Sequence, residues 1–483
     1  VNKLYGLIPA AGKGVRAIPY TNEIPKGMLD IDGVPNLQNI IQIMRDQLGI
    51  TEIFIVVGYL GNIIKQYFGN GSDFNIAITY IQNDDLDKGL TYSIFQAKQY
   101  INDYFCTILS DECYLNSNHY ELKLFPYRDS LATCALMHVD DRELIKRNYS
   151  VEKSDHHIVR IEEKPQKIEN DILGTGTFIF SPQLFEFIEK AYQETDWEYI
   201  EFMTFLDSLC QKKQRISFFN LSGTYVNIND RDSLSLARYH NRNENFEGNS
   251  ISLLIYSEGD EQDIAFTIKR YQEIKNIDEI FVVLPEINSI EEIVLNNDAS
   301  VIKCPAGIDL YGEKLKYAME NAPGDILVLS ESDYSFLGRD IPKLLTYLRE
   351  ADMVVGTRTT RQLVEQGSSM RGIVRTANIF LAKLLELFWW NYESRFTDVG
   401  CTFRAIWRVS LDQVKDKLTS KGPEFSAEMM IEILKTRQRV IEIPVNYVNR
   451  SYSMYKRYQN IRTFFRIFLL IIKKRFKKSN TTH

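Results

Sequence analysis

The densest run of chemistry-bearing residues is 7–35, LIPAAGKGVRAIPYTNEIPKGMLDIDGVP. An apolar run delivers the chain into Ala10-Ala11-Gly12-Lys13-Gly14, where small residues let backbone N–H groups approach a polyphosphate closely. Arg16 adds a charge-assisted donor, and Lys26, behind Pro25, brings a point charge to a second phosphate. A second constellation, Glu331-Ser332-Asp333, sets two carboxylates one residue apart after an apolar run, a spacing at which they share one cation. The six histidines show no HxH or HxxxH spacing and take no metal or catalytic role. The six cysteines show no CxxC pair and are read as buried free thiols in a reducing compartment.

These residues need a scaffold, and the chain alternates strand and helix patterns. Leu4 to Pro9, Glu52 to Val57 and Phe105 to Leu109 are short apolar runs, and Leu37 to Leu48 has helical periodicity. The alternation fades at 241–250, NRNENFEGNS, and restarts with runs at 251–256, 279–284 and 325–329. The expectation is α/β: two domains at 1–242 and 251–450, each around a mostly parallel sheet, joined by a polar linker at 243–250. A length of 483 residues suits more than one domain, and 44% hydrophobic with 25% charged residues suits a globular protein. Val1 to Ala11 runs straight into a core strand and does not read as a secretory signal.

The net charge of −7 hides an asymmetry, because 451–483 holds nine Lys or Arg and no acid. The remainder carries about −16, which repels nucleic acid, while the tail seeks an anionic surface. The longest apolar run in the tail, Ile467 to Ile472, is far short of the roughly 20 residues of a spanning helix. A basic amphipathic helix lying in the lipid interface is the expectation, with peripheral placement on the inner membrane face. Trp389-Trp390 suits a lipid groove or core packing equally.

The whole 7–35 run resembles the nucleotidyltransferases that join a sugar 1-phosphate to a nucleoside triphosphate, typified by glucose-1-phosphate thymidylyltransferase. The resemblance extends over roughly the first 240 residues, through EIFIVVGY (52–59), DFNIAITYIQNDDLDKG (73–89), LSD (109–111), IEEKP (161–165) and GTG (174–176). It implies nucleotide contacts at Ala11, Gly12, Lys13, Gly14, Gln82 and Gly89, with Gln82 reading the base, and catalytic roles for Arg16 and Lys26. It further implies sugar-phosphate contacts at Glu163, Lys164 and Gly176, and Mg²⁺ held by Asp111 and Asn229. Relatives usually carry Asp where Asn229 stands, and some carry Asn. The Gln82 context permits thymidine or uridine, while KGLTYS (88–93) is faintly similar to cytidylyltransferases of choline or inositol phosphates.

From about 251 to 450 the chain resembles family 2 glycosyltransferases of the dolichol-phosphate-mannose-synthase type, so both domains are expected to be Rossmann-like, of GT-A type. The pieces are ESD (331–333), DIPKL (340–344), GTR (356–358), DVGCTFR (398–404), GPEFSAE (422–428) and IEIPVNYVNR (441–450). They imply a Mg²⁺ or Mn²⁺ site at Glu331 and Asp333, Asp398 as base or acceptor-positioning residue, and Arg404 on the substrate side. Where relatives hold base and ribose with acidic residues, only Glu286 is present here. The implied protein is bifunctional: a nucleoside triphosphate and a sugar 1-phosphate give a nucleotide sugar, and a glycosyl group passes to a polyprenyl-phosphate or glycan acceptor. The alternative is a nucleotidyltransferase alone, for sugar or alcohol phosphates, whose second domain binds and targets. Either form is compatible with an oligomer.

Overall fold

The computed structural model describes residues 3–18, 20–155, 157–259, 263–365, 370, 372–390, 395–448 and 461–476. The chain divides into two compact units, Val1–Asn241 and Arg242–His483.

The first unit is built on a nine-stranded sheet. Its spatial order is Ala77–Gln82, Glu52–Val57, Tyr5–Ala10, Phe105–Ile108, Ile172–Phe180, Ala132–His138, Ile216–Asn220, His157–Glu163 and Tyr149–Ser154. Tyr5–Ala10 pairs in parallel with Glu52–Val57 (Ile8 opposite Ile55) and with Phe105–Ile108 (Gly6 opposite Cys106). Five of its six residues are buried, as expected of a central parallel strand covered on both faces. Apolar clusters fill the two sides, one around Phe105, Phe178 and Phe202, the other around Ile8, Ile40 and Ile55. Ile172–Phe180 departs from parallel pairing, running antiparallel to both neighbours, and so does His157–Glu163 in the edge hairpin.

Gly176 on that strand shows how tightly the interior is fitted. A Cβ there would stand 2.6 Å from Glu112 Cδ. Gly176→Ala is therefore expected to cost about 1–3 kcal/mol by overpacking, read as a lowered thermal midpoint with the far-UV spectrum unchanged. An unshifted midpoint would mean that the Glu112 side chain has room to move.

The second unit has seven strands in the order Ser300–Lys303, Glu279–Leu284, Ile251–Tyr256, Ile326–Glu331, Arg404–Trp407, Met353–Thr357 and Val440–Pro444. Numbered by sequence, that order is 3-2-1-4-6-5-7 with strand 6 antiparallel. The first unit has the same order once its hairpin Tyr149–Ser154/His157–Glu163 is set aside. In such a sheet the chain leaves strands 1 and 4 in opposite directions, and a crevice opens at their C-terminal ends. Both constellations singled out in the sequence follow those ends.

The expected linker is mostly helical. The helix Arg231–Asn245 runs through its first three residues, and a 3-10 turn Phe246–Gly248 follows. Asn-rich composition argues for a loop, but burial decides otherwise. Arg242 is buried with Nη2 2.6 Å from Asp352 Oδ1, and Phe246 packs edge-on against Trp407 at 5.9 Å. The tail helix Ile461–Phe476 buries Ile467 and Ile471 in the second unit's core and sends Lys474 to Glu428 and Glu432, each at 2.6 Å. No helix among the described residues is long and apolar enough to cross a membrane. All six cysteines are buried and unbridged.

Candidate functional site

A cleft of about 370 Å³ opens at the C-terminal ends of Tyr5–Ala10 and Phe105–Ile108 in the first unit. Its near wall is the loop Ala10-Ala11-Gly12 with Gly14 and Arg16, and its far wall carries Asn83, Gly89 and Ser93. Gly12 faces open space, with no atom within 4 Å of where a Cβ would stand. Gly14 adopts φ 60°, and its carbonyl accepts from Ala17 N and Thr21 Oγ1, both at 2.9 Å. A Cβ at Gly14 would come within 3.2 Å of Lys26 Cβ, so this glycine lets the Lys26 segment close over the loop.

Four sequence-selected groups converge here. Lys26 Nζ lies 2.5 Å from Asp111 Oδ2 and 2.8 Å from Asn229 Oδ1, while Arg16 Nη2 donates to the same Asn229 oxygen at 2.6 Å. Asp111 sits on the turn after Phe105–Ile108. The two-stranded ribbon of Glu112–Leu115 with Thr224–Asn227 sets Asn227 opposite Glu112, and Ile228 N donates to Asp111 O at 2.8 Å. That pairing carries Asn229 to Asp111 across more than a hundred residues of chain.

Beneath them lies a layer that sequence reasoning missed. Buried Glu112 accepts from Gly176 N (3.1 Å), Tyr114 OH (3.1 Å) and Asn227 Nδ2 (2.9 Å), and Asn227 Oδ1 accepts from Asn229 Nδ2. Burial, reinforced by Asp111, pushes the Glu112 carboxyl up to about 8. At neutral pH it therefore adds little negative charge beneath the cleft. The only sequence signal was its place directly after Asp111.

The donor set fits a divalent cation. The Asp111 and Asn229 oxygens already converge on one cationic group, the Lys26 ammonium, and both are the hard oxygen ligands that Mg²⁺ takes. Among the described residues no three His, Cys, Asp or Glu side chains gather to hold a metal. Two protein oxygens leave the remaining positions to phosphate and water, the usual arrangement for Mg²⁺ with a nucleotide.

Other sequence-selected residues lie elsewhere. Lys13 is exposed and does not line the cleft. Gln82, the expected base reader, ends its strand on the outside, with Nε2 on Asp84 Oδ1 (3.0 Å) and Oε1 accepting from Lys65 (3.2 Å). Its neighbour Asn83 is the residue that faces in, held by Nδ2 to Ser93 Oγ at 3.1 Å. Successive strand residues point to opposite faces, which separates Gln82 from Asn83. Glu163 and Lys164 pair with each other at 2.5 Å, away from the lining of the cleft. Burial, then the neighbouring Glu201, raises the Glu163 carboxyl. Gly176 packs on Glu112 and does not line the cleft either.

In the second unit, Glu331 ends the fourth strand and Asp333 follows. Thr402 Oγ1 donates to Glu331 Oε1 at 2.8 Å, while buried Oε2 has no hydrogen-bond partner among the described residues. Burial and then the Asp333 charge push Glu331 up to about 8. Two close carboxylates, one with an unsatisfied oxygen, suit a shared cation.

The other residues expected in that unit's site are placed differently. Asp398 is fully buried and accepts from Arg358 N (3.1 Å), Nε (2.8 Å) and Nη2 (2.9 Å), from Gly400 N (3.1 Å) and from Asn378 Nδ2. Burial works to raise its carboxyl, but the Arg358 guanidinium holds it below the ordinary range. A carboxylate so fully engaged has no lone pair to take a proton from an acceptor, which corrects the expectation of a base. Arg404 is likewise buried, donating to the carbonyls of Ser426 (2.8 Å) and Cys401, and so holds loops together instead of meeting substrate. Glu286 stands exposed on the turn after the second strand. A groove of about 990 Å³ runs beside Arg358, Arg361 and Arg375, with Phe380 and Phe464 on its apolar side.

Comparison with known proteins bears on the first unit. The family model described as nucleotidyl transferase matches residues 5–227. The chain is 28% identical over 234 residues to the UTP–glucose-1-phosphate uridylyltransferase AglF of Haloferax volcanii, covering 47% of this chain and 94% of that one. It is 28% identical over 185 residues to the bifunctional protein GlmU of Methanocaldococcus jannaschii, covering 38% of this chain and only 42% of that one. The solved structure of a UDP-glucose pyrophosphorylase complexed with UDP-glucose aligns with a TM-score of 0.44 at 21% identity, over 50% of this chain and 99% of that one. The N-terminal half of the chain, residues 5–227, is a nucleotidyltransferase domain.

Proposed function

We propose that the first domain condenses a nucleoside triphosphate with a sugar 1-phosphate, releasing pyrophosphate and a nucleotide sugar. The observation that carries this reading is the convergence of Arg16, Lys26, Asp111 and Asn229 on one side of a phosphate-sized cleft behind a glycine loop. A sugar-phosphate oxygen attacks the α-phosphorus, the bond from that phosphorus to the bridging oxygen breaks, and pyrophosphate departs with the bonding pair. The nucleophile is already anionic, so no base is required, and the work falls to positioning and charge neutralisation. Backbone N–H groups of Ala11, Gly12 and Gly14 cradle the triphosphate, and Lys26 and Arg16 meet charge on the transferring and leaving phosphates. Mg²⁺, held by Asp111 and Asn229, supplies Lewis-acid charge neutralisation when bound.

Uridine is the first base to test, because the names of similar proteins in Haloferax volcanii and Synechocystis specify UTP and glucose 1-phosphate. The experiment is pyrophosphate release with Mg²⁺, each nucleoside triphosphate in turn, and a panel of sugar 1-phosphates and alcohol phosphates. Turnover with a sugar 1-phosphate supports the reading; turnover only with CTP and an alcohol phosphate replaces it with the cytidylyltransferase one. The base contact follows from the wall of the cleft. Asn83→Ala is expected to raise the KM for the triphosphate about tenfold, the scale of one hydrogen bond to a charged or well-oriented partner. Gln82→Ala is expected to leave it within a factor of two, and the reverse pattern would return Gln82 to the site.

For the second domain we propose glycosyl transfer to a phosphorylated lipid or glycan acceptor at a membrane surface, with Glu331 and Asp333 holding a divalent cation. The unsatisfied Glu331 oxygen and the arginine-lined groove support this. Buried Asp398 and Arg404 and exposed Glu286 favour the second reading, a binding and targeting domain. Transfer from the first domain's own product to a polyprenyl phosphate, lost in Asp333→Asn, separates them. Fusion of the two domains keeps an activated donor near its point of use.

A further inference from the structure

The tail helix is not the only apolar surface the second unit turns outward. Helix Gly372–Phe388 has an inner stripe, Leu381, Ala382 and Leu385, buried in the core. Its opposite stripe, at the same helical spacing, carries Ile373, Phe380 and Leu387 and continues to Trp390, all exposed. A helix with a solvent face this apolar is unusual for a water-facing element.

The tail helix Ile461–Phe476 repeats the arrangement. It buries Ile467 and Ile471 and exposes Ile461, Phe465, Leu469 and Phe476, with Arg462, Arg466 and Lys473 exposed at the next positions round. The two helices lie side by side. Exposed Phe380 meets Phe464 with ring centroids 6.3 Å apart, and exposed Phe476 meets Phe388 at 6.1 Å. The two outward stripes therefore adjoin and form one apolar face. Its cations are Arg462, Arg466, Lys473 and Arg475, and the tail helix contains no acid. The single acid of the partner helix, Glu386, is buried and paired with Lys383 and Arg395.

We propose that this two-helix face is a membrane-binding surface that lies flat in an anionic bilayer, with helix Gly372–Phe388 inserting beside the tail. This rests on the reading of the tail as membrane-associating and extends it to a helix over 70 residues earlier in the chain. Charge complementarity selects the occupant: apolar side chains enter the acyl boundary while Arg and Lys meet anionic head groups, and among the described residues neither helix exposes an acid. Neither helix is long and apolar enough to cross. A second copy of the chain would bring like charges together at the same rim.

The test is co-sedimentation of the full-length protein with vesicles of phosphatidylcholine alone or mixed with phosphatidylglycerol. Wild type is expected to pellet with the mixed vesicles and weakly with the neutral ones. F380E/L387E, which leaves the tail stripe intact, is expected to lower the partition coefficient more than about tenfold, with nucleotidyltransferase turnover and thermal midpoint unchanged. Trp390 fluorescence is expected to shift to the blue and to be quenched by brominated lipid, a signal absent in W390F. If R462Q/R466Q abolishes pelleting while F380E/L387E retains it, the tail reading stands and this inference falls. No wild-type binding would overturn both. A wild-type dimer that F380E/L387E converts to monomer, without vesicle binding, would assign the face to a second copy instead.

Discussion

Lys26→Ala is expected to lower the kcat for pyrophosphate release by about 10²–10³-fold, and Asp111→Ala by at least as much, the scale measured when one preorganised charge-stabilising group is removed. The geometry gives the reason. Lys26 is the node on which Asp111 and Asn229 both close, at 2.5 Å and 2.8 Å, and the loop reaches it only because Gly14 has no side chain. Losing the ammonium removes a positive charge from the phosphate site and leaves Asp111 facing the incoming anion. The Lys26–Asp111 pair is partly solvent-accessible, so its loss costs stability no more than about 1 kcal/mol. A large catalytic loss with an unchanged melting midpoint is thus the diagnostic pattern. Lys26→Arg is expected to recover little, because a planar fork does not replace a compact ammonium between two oxygens. For Asp111→Asn the Mg²⁺ concentration giving half-maximal rate is expected to rise. Turnover within threefold of wild type in Lys26→Ala would remove this group from the mechanism.

How much of this could be read in advance depends on the range of the interaction. Apolar runs at 4–9, 52–57 and 325–329 announced the central strands Tyr5–Ala10, Glu52–Val57 and Ile326–Glu331, because a strand covered on both faces is apolar along most of its length. The glycine loop and Lys26 were legible because they lie within one short segment. Asn229 was legible by resemblance, but Glu112 and Asn227 beneath it were not. Their roles arise from a pairing of residues 115 positions apart, which local pattern does not encode. Gln82 lies one residue from Asn83, the side chain that lines the cleft, and alternation along a strand turns such neighbours to opposite faces. The linker misled because Asn-rich sequence weakens helix propensity, whereas the Arg242–Asp352 pair and the seat of Phe246 supply tertiary support. Asp398 drew notice as a motif residue. What the sequence could not reveal is that Arg358, 40 positions earlier, occupies both of its oxygens.

That pair carries the largest expected effect on stability. Arg358 and Asp398 are each fully buried, and Asp398 accepts three bonds from Arg358 alone. Deleting one partner strands the other charge in the interior, so Asp398→Ala is expected to destabilise the second unit by about 3–5 kcal/mol. Replacing both partners by apolar residues, Arg358→Met with Asp398→Leu, is expected to recover much of that loss, because no isolated charge remains. The pH dependence has a definite sign. The Asp398 carboxyl is held below its ordinary value in the folded chain, so its contribution is complete above the unfolded value of about 3.9 and is lost as pH falls through the folded one. Acid unfolding of the second unit is therefore expected to start at higher pH in Asp398→Asn than in wild type. Tryptophan fluorescence is suited to the measurement, since Trp389, Trp390 and Trp407 lie in that unit and only Trp197 in the other. If Asp398→Asn melted like wild type yet lost glycosyl transfer, the carboxylate would be a participant in the reaction and not the keystone of the fold. If it lost stability and kept transfer in proportion to the folded fraction, the buried pair would be a structural support on which the site depends only for its shape.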